Sequence, residues 1–348
     1  MLVKDVGEFG LIDLLKSEID EGQAVALALI RQRGFELKIP VGDDAAAWLS
    51  NTGMQILTTD TMVEDVHFRK ETISWIDLGW KAMAVNLSDI AAMGCAPVYT
   101  VVTLGLTDDL PVDGIIKMYR GIIEAGNVFG SVVVGGDVVR SPVMFVTLAM
   151  IGTAVATSDT SPVLLTRDGA LPGHKIAVTG HLGCSAAGLR VIEDGIKLEH
   201  ETMAHLIAAH NRPIPKIYEG MELVRQGVTT AMDVSDGLID DLRKICERSK
   251  VGAVIKSDWL PVDSYLRQVF PHDWLDLAQS GGEDYELLFT APARIVDAVS
   301  AAVDVQVTVI GEIVNQPKIV NVLDSDGNCV ISDRTGWDHL SRGNLGGL

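Results

Sequence analysis

Basic side chains are scarce in this 348-residue chain. Lys and Arg total 28 against 47 Asp and Glu, for a formal net charge of −19. Proteins that bind polyanions carry basic patches, so this balance disfavours DNA, RNA or an anionic membrane as the main partner. Cysteines are few and far apart. Cys95, Cys184, Cys246 and Cys329 form no CxxC pair, which suggests neither a disulfide framework nor a zinc site and fits a reducing cytoplasm. Long apolar runs are also missing. The longest mostly apolar stretch, Val143 to Thr157, is too short to span a bilayer and reads as a buried strand. The N-terminus, MLVKDVGEFGLIDLLKSEIDEG, lacks the apolar core of a signal peptide. The familiar signatures of catalysis and phosphate binding are absent too. There is no GxxxxGKS/T loop, no HRD or DFG, no HExxH and no nucleophile elbow.

What the chain does contain is one chemistry repeated. Six short motifs place a carboxylate among small residues: GDDAA at 42–46, TTD at 58–60, NLSD at 86–89, GGD at 135–137, DVSDG at 233–237 and SGGED at 280–284. A carboxylate beside glycine at the end of an apolar run is poorly placed as a solvated charge. It is well placed to hold a hard cation, and through it a phosphate. Asp43, Asp44, Asp60, Asp89, Asp137, Asp233 and Asp236 are oxygen ligands of the kind Mg²⁺ prefers, and Thr58, Thr59 and Ser235 add hydroxyl or backbone oxygens. Taken singly, each aspartate is more often a helix cap, a turn residue or a solvated charge. Recurrence at the ends of several independent apolar runs favours the metal reading.

The length suggests two domains, and 47% apolar residues suffice for a substantial core. Periodicity predicts a helix over Leu11–Arg31, broken near Glu21-Gly22, and others over Trp75–Met93, Asp113–Phe129 and Leu238–Arg248. The second of these carries Asn86 and Asp89 on one face and stops at Gly94, with Pro97 beyond. Strands are expected over Met54–Thr61, Ser131–Val134 (a short one running into GGD), Val143–Val155, Lys175–Gly180, Thr229–Val234 and Tyr285–Thr290. HLGCSAAGLRVIE reads as a loop leading into a helix, able to approach a phosphate or simply to turn. The polar segment ATSDTSP at 156–162 marks the boundary, giving domains 1–157 and 158–348. The fold class is α+β or α/β.

Phosphoryl transfer is the reaction that uses such a site, because the protein there mostly positions groups and neutralises charge through metal ions. An acceptor that is itself a phosphate monoester, with a second pKa of about 6, is largely ionised at neutral pH and needs no strong general base. The lack of an obvious catalytic histidine or nucleophile is then expected.

The ordered string GEFGLI, GDDAA, TTDTMVEDVHF, KAMAVNLSDIAAMGCAP, GGD, LLTRDGALPG, DVSDGLIDDL, SGGEDYELLFT and TGWDHL closely resembles the thiamine-monophosphate kinase family. That family belongs to the superfamily of aminoimidazole ribonucleotide synthetase. The resemblance runs from about Gly7 to Leu340. It implies conversion of ATP and thiamine monophosphate to ADP and thiamine diphosphate by direct transfer with several Mg²⁺ ions. It also implies two α/β domains, the first carrying the ATP and Mg²⁺ site and the second completing it, and a cytoplasmic homodimer whose N-terminal domains join their sheets. Carried onto this chain, Asp43, Thr58, Thr59, Asp60, Asp89, Asp137, Asp233 and Asp236 resemble the magnesium shell, with Asp43, Asp60, Asp137 and Asp236 closest to catalysis. Tyr119, Gly136, Asp137, Arg167 and Ser235 resemble ATP contacts, and His67, Glu283 and Trp337 resemble thiamine-phosphate contacts. An indole face suits the cationic thiazolium. Without the resemblance, Trp337 and Tyr119 read as core residues and Arg167-Asp168 as a surface ion pair.

Two positions depart from the family pattern. Val138 follows GGD where threonine is frequent, and His174 stands where aspartate is usual. Rivals within the superfamily fit less well. The first cysteine is Cys95, too late for a selenophosphate synthetase, and the chain ends in NLGGL with no C-terminal cysteine of the hydrogenase-maturation kind. Rivals of another class are a non-catalytic protein that binds metal or nucleotide, and a metal-dependent phosphatase.

Overall fold

The computed structural model describes residues 1–41, 45–50, 53–155 and 163–331. Asp43 and Asp44 of the first acidic motif, the segment expected to hold the domain boundary, and Trp337 lie outside the described residues. The chain packs as two compact units, Met1–Ile90 with Cys95–Ala154, and Ala91–Gly94 with the chain from Val155 onward.

The first unit runs α1 (Val3–Gly22), α2 (Ala24–Gln32), β1 (Phe35–Ile39), β2 (Ala47–Ser50), β3 (Gln55–Val63), α3 (Trp75–Ala92), β4 (Cys95–Leu106), α4 (Val112–Phe129), β5 (Val132–Arg140) and β6 (Phe145–Ala154). Strands β3–β6 form a four-stranded sheet in the order β3-β6-β4-β5. Only β4 and β5 are parallel, and the amphipathic helix α4 is the crossover that this pairing requires. Alternate strand residues such as Val102, Leu104, Val146, Leu148 and Met150 are fully buried, as are Leu78, Met83, Leu87 and Ile90 of α3. Each such side chain contributes roughly 1.5–3 kcal/mol. β1 and β2 make a separate hairpin whose Trp48 rests on Tyr99 of β4, ring centroids 4.8 Å apart.

The second unit contains β7 (Lys175–Thr179), α5 (Cys184–Glu193), α6 (His200–Asn211), α7 (Ile217–Arg225), β8 (Thr230–Asp233), α8 (Leu238–Ser249), β9 (Gly252–Lys256), α9 (Ser264–Val269), α10 (Trp274–Ser280), β10 (Leu287–Ala291), α11 (Ala293–Ala302), β11 (Val307–Val314) and β12 (Val320–Leu323). Its six-stranded sheet has the order β12-β9-β11-β7-β10-β8 and is antiparallel except between β12 and β9. Helix α8 presents Leu238, Leu242 and Ile245 to Val178, Met232 and Leu288 of the sheet. A second cluster joins α5, α6, α9 and α10 through Ala187, Val191, Leu206, Leu266 and Phe270.

Mixed helix and sheet were expected and are present. One element differs in kind. The strand expected to stop at Val134 continues through Gly135-Gly136-Asp137 to Arg140. The two glycines are weak strand formers, but the β4 partner carries them in register, Val102 opposite Gly136 and Thr103 opposite Asp137. A Cβ on Gly136 would lie 2.0 Å from Val102 O, so β5 can approach β4 this closely only with glycine there. Helix α1 starts earlier than its periodicity indicates and carries a left-handed residue inside it, at Gly7.

Candidate active site

In the first unit the predicted ligands sit on one edge strand and the helix beneath it. Thr58, Thr59 and Asp60 are consecutive on β3, while Asn86 and Asp89 lie on α3. The Thr58 hydroxyl donates to Asp89 Oδ2. The Asp60 backbone N–H donates to Asn86 Oδ1 at 3.0 Å. Asn86 is fully buried and its own amide donates to Ala82 O at 3.1 Å, which fixes it on the helix. Thr59 Oγ1 donates to Leu148 O at 2.9 Å. Three oxygen-bearing positions, Thr58, Asp60 and Asp89, are therefore held on one short stretch of strand and helix. Exposed Asp60 gives an open side to the group. Such an all-oxygen donor set suits a hard cation.

Asp137 is also exposed, but it lies on the other edge strand, β5, beside Gly136. β6 and β4 separate it from β3, a span of three strand spacings or about 14 Å along the sheet. Tyr119 is buried in α4, and its phenol is pushed up by desolvation. At the end of β3, the Val63 N–H donates to His67 Nδ1 at 3.1 Å. In that bond the Nδ1 atom is the acceptor.

In the second unit two motifs are laced together. The Glu283 N–H donates to Ser235 O at 2.8 Å, Tyr285 N–H to Val234 O at 2.9 Å, and Val234 N–H to Glu286 O at 2.8 Å. The turn carrying Ser235 and Asp236 and the turn carrying Glu283 and Asp284 are thus one platform. Gly237 makes the approach possible. Its φ is +114°, and a Cβ there would come within 2.9 Å of the Ser280 backbone. Glu283 and Tyr285 both adopt left-handed conformations, with φ of +64° and +51°. Non-glycine residues rarely do so, and such conformations cluster at functional sites.

The platform contains groups that sequence reasoning did not single out. Fully buried Asp241 accepts the backbone N–H groups of Ser235 at 2.9 Å and Asp236 at 3.1 Å through one oxygen. Its other oxygen accepts from Lys244 Nζ at 2.6 Å. Burial raises the Asp241 carboxyl, with Lys244 opposing. Lys244 loses to desolvation but gains more from Asp241 and Asp236, so its ammonium is raised. Lys244 also binds Asp236, a predicted metal ligand, at 2.5 Å. Asp284 accepts from Gly183 N–H at 2.6 Å and Ser185 N–H at 3.1 Å, at the start of α5. Burial pushes it up to about 7, against those two donors, which favour the anion. Glu283 lies 3.4 Å from His210 Nδ1, which in turn is 3.1 Å from Ser185 Oγ. The signal for Asp241 and Asp284 was in the motifs themselves, DVSDGLIDDL and SGGED, each of which holds an acid beyond those singled out. Asp233 is buried at the end of β8. Arg167 is exposed before β7, and its neighbour Asp168 accepts from Thr166 Oγ1 at 2.6 Å.

Residues 42–154 match the family model for AIR synthase related protein, N-terminal domain, and residues 172–324 match the C-terminal domain. The chain is 37% identical to the thiamine-monophosphate kinase of Salmonella typhimurium over 319 residues, 90% of this chain and 95% of that one. It is 34% identical to the thiamine-monophosphate kinase of Bacillus subtilis, covering 87% and 93%. Among solved structures, that of the thiamine-monophosphate kinase from Stenotrophomonas maltophilia K279a is similar with a TM-score of 0.78 and 33% identity, covering 90% of this chain and 96% of that one. AaThiL complexed with AMPPCP and TMP gives 0.73 and 30%, covering 97% and 99%.

Proposed function

The chain belongs to the AIR synthase related family and, within it, to the thiamine-monophosphate kinases, and from that premise we propose how its residues serve the reaction. The γ-phosphoryl group of ATP passes to the phosphate of thiamine monophosphate. The bond between the γ-phosphorus and the β–γ bridging oxygen breaks, a bond from the acceptor oxygen to that phosphorus forms, and ADP and thiamine diphosphate leave. The acceptor oxygen is already ionised near neutrality, so no residue is assigned as its base.

Mg²⁺ is the cation that fits the oxygen donors. Asp43, Thr58, Thr59, Asp60, Asp89, Asp137, Asp233 and Asp236 would hold several such ions, which when bound neutralise phosphate charge that this acidic protein would otherwise repel. Arg167, Ser235, Tyr119 and Gly136 are assigned to ATP. His67, Glu283 and Trp337 are assigned to thiamine monophosphate, with Glu283 complementing the cationic ring system. Domain 1–157 would then carry most of the metal ligands with Tyr119 and Gly136 for ATP, and domain 158–348 would add Asp233, Asp236, Arg167 and Ser235 together with Glu283 and Trp337. The observation that carries the reading in this chain is the lacing of the Ser235-Asp236 turn to the Glu283-Asp284 turn, which brings a residue assigned to ATP next to one assigned to thiamine monophosphate.

The geometry of β3 and β5 supports a homodimer. One ion with oxygen bonds of about 2.1 Å cannot bridge Asp60 and Asp137 across about 14 Å of one sheet. If the β3 edge of one copy faces the β5 edge of the other in a two-fold dimer, an Asp60 and an Asp137 from different subunits would come to the same seam. Exposed Leu57, Val101 and Val139, on one open sheet face, would be covered in the same step. Among the described residues no helix is long and apolar enough to cross a membrane. We place the enzyme in the cytoplasm, which suits its buried free cysteines.

A coupled assay for ADP release tests the reading. ADP formation that requires both Mg²⁺ and thiamine monophosphate supports it. Binding of ATP without turnover favours a non-catalytic relative, and phosphate release from thiamine monophosphate without ATP favours a phosphatase. Either outcome overturns the kinase.

A further inference from the structure

Cys184, His205 and Asp263 come from three places in the second unit: the first residue of α5, the middle of α6 and the residue that caps α9. Their Sγ, one imidazole nitrogen and a carboxylate oxygen all lie within 4.8 Å of one another. His205 Nε2 is 3.3 Å from Asp263 Oδ2, and His181 Nδ1, on the loop leading into α5, is 4.0 Å from the same oxygen. We infer that these side chains form a binding site for a zinc-like divalent ion, with Cys184, His205 and Asp263 as ligands and with His181, outside that close group, reaching in by side-chain rotation as the fourth. The inference is independent of the kinase assignment.

The donor types select the ion. A thiolate with imidazoles and one carboxylate suits four-coordinate Zn²⁺, whereas Mg²⁺ prefers oxygen alone. The donors are also held in place from behind. Asp263 Oδ1 accepts the Tyr265 N–H at 2.7 Å, which leaves Oδ2 turned toward the histidines. The His205 ring rests on Tyr265 with centroids 4.9 Å apart, and the Tyr265 hydroxyl donates to Glu201. Leu182 N–H donates to Pro261 O at 2.9 Å and ties the loop of His181 to the segment that ends at Asp263. Such backing interactions orient metal ligands. Cys184 is buried while both histidines are partly exposed, which leaves a way in from solvent.

A nucleophilic relay would look different. There the acid holds one ring nitrogen and the thiol faces the other. Here one nitrogen faces both groups. Burial, with the carboxylates of Asp284 and Asp263, also pushes the Cys184 thiol up, away from a free thiolate. Metal binding would displace the thiol proton into solvent. The ion would sit beside Gly183 and Ser185, whose N–H groups hold Asp284, and would brace that loop. The sequence hides the site because Cys184, His205 and Asp263 are far apart along the chain.

The test is a Co²⁺ titration of the full chain, freed of metal with a chelator, without Mg²⁺, nucleotide or thiamine phosphate. One equivalent of Co²⁺ is expected to give the visible bands of a tetrahedral ion and a near-ultraviolet thiolate charge-transfer band, both displaced by one equivalent of Zn²⁺. Cys184→Ser should remove the charge-transfer band. His205→Gln should weaken Co²⁺ binding by about tenfold or more. Cys329→Ser, at an exposed cysteine, should leave the spectrum unchanged. Circular dichroism of each variant confirms its fold. A wild-type chain without the charge-transfer band overturns the site, and so does a band that survives in Cys184→Ser or persists at full affinity in His205→Gln.

Discussion

Lys244 Nζ lies 2.6 Å from Oδ1 of the fully buried Asp241, whose Oδ2 holds the backbone N–H groups of Ser235 and Asp236. The acid is thus a peg on which the Ser235-Asp236 turn hangs. Removing it strands two N–H donors and a cation. Asp241→Ala should destabilise the fold by about 3 kcal/mol, measured by urea unfolding. A loss below about 1 kcal/mol would mean that water replaces the carboxylate easily and that the turn is held elsewhere.

Asp60 and Asp137 occupy the two edges of one sheet, so the dimer proposal has a sharp consequence. Asp60→Asn and Asp137→Asn should each lower kcat by about a hundredfold or more with little change in unfolding temperature. Co-refolding the two inactive variants should restore about a quarter of wild-type activity. Half the dimers are then mixed, and each mixed dimer has one site with both acids intact. If the mixture stays as inactive as its components, the two aspartates do not meet across the subunits.

Leu57 is 74% exposed on β3, and Val101 and Val139 share its open face. A charge placed there costs little in a monomer and much in a covered interface. Leu57→Asp or Val101→Asp should convert a dimer to a monomer in size-exclusion chromatography with light scattering. Both variants should stay folded while losing turnover. An unchanged dimer would place the interface on another surface.

Much of this fold was legible because the signals are local. The helices over Trp75–Ala92 and Leu238–Ser249 follow apolar periodicity, and Asp233 ends β8 as its motif indicates, whereas Asp60 and Asp137 lie inside longer strands. What was not legible depends on partners distant in sequence. β5 continues through two glycines because β4 dictates its register. Lys244 meets Asp241 one turn away on α8, but it pairs with Asp236 only because the turn before α8 folds back toward the helix. Asp284 sits next to Glu283 in the SGGED motif with nothing local to mark it. Its role appears only when the loop before α5 folds back and aims two N–H groups at it.

Asp284 also sets a pH dependence. Its folded pKa is raised from 3.8 to about 7, so the folded state keeps a proton that the unfolded chain releases. Between about pH 4 and pH 7 the unfolded state therefore gains relative to the folded one, and stability falls as pH rises. Asp284→Asn cannot ionise and should lose that slope. Unfolding temperatures recorded at about pH 5 and about pH 8 should differ less in the variant than in the wild type. Equal slopes would show that the two N–H donors hold the carboxylate ionised throughout.

Glu283 offers a test in which stability and activity move in opposite directions. Its backbone is left-handed at φ +64°, a conformation that costs a non-glycine residue roughly 1–2 kcal/mol and costs glycine little. Glycine there also frees the unfolded chain, which takes back about 0.5–1 kcal/mol. Glu283→Gly should then leave stability unchanged or raise it by up to about 1 kcal/mol. The same substitution removes the carboxylate assigned to the thiamine ring system, so the Michaelis constant for thiamine monophosphate should rise by about tenfold while that for ATP changes little. Glu283→Gln separates the causes, since it keeps the strained backbone and removes only the charge. If Glu283→Gly loses stability, the His210 contact at 3.4 Å outweighs the strain. If the thiamine-phosphate constant is unmoved in both variants, Glu283 is a hinge of the platform and not part of the substrate surface.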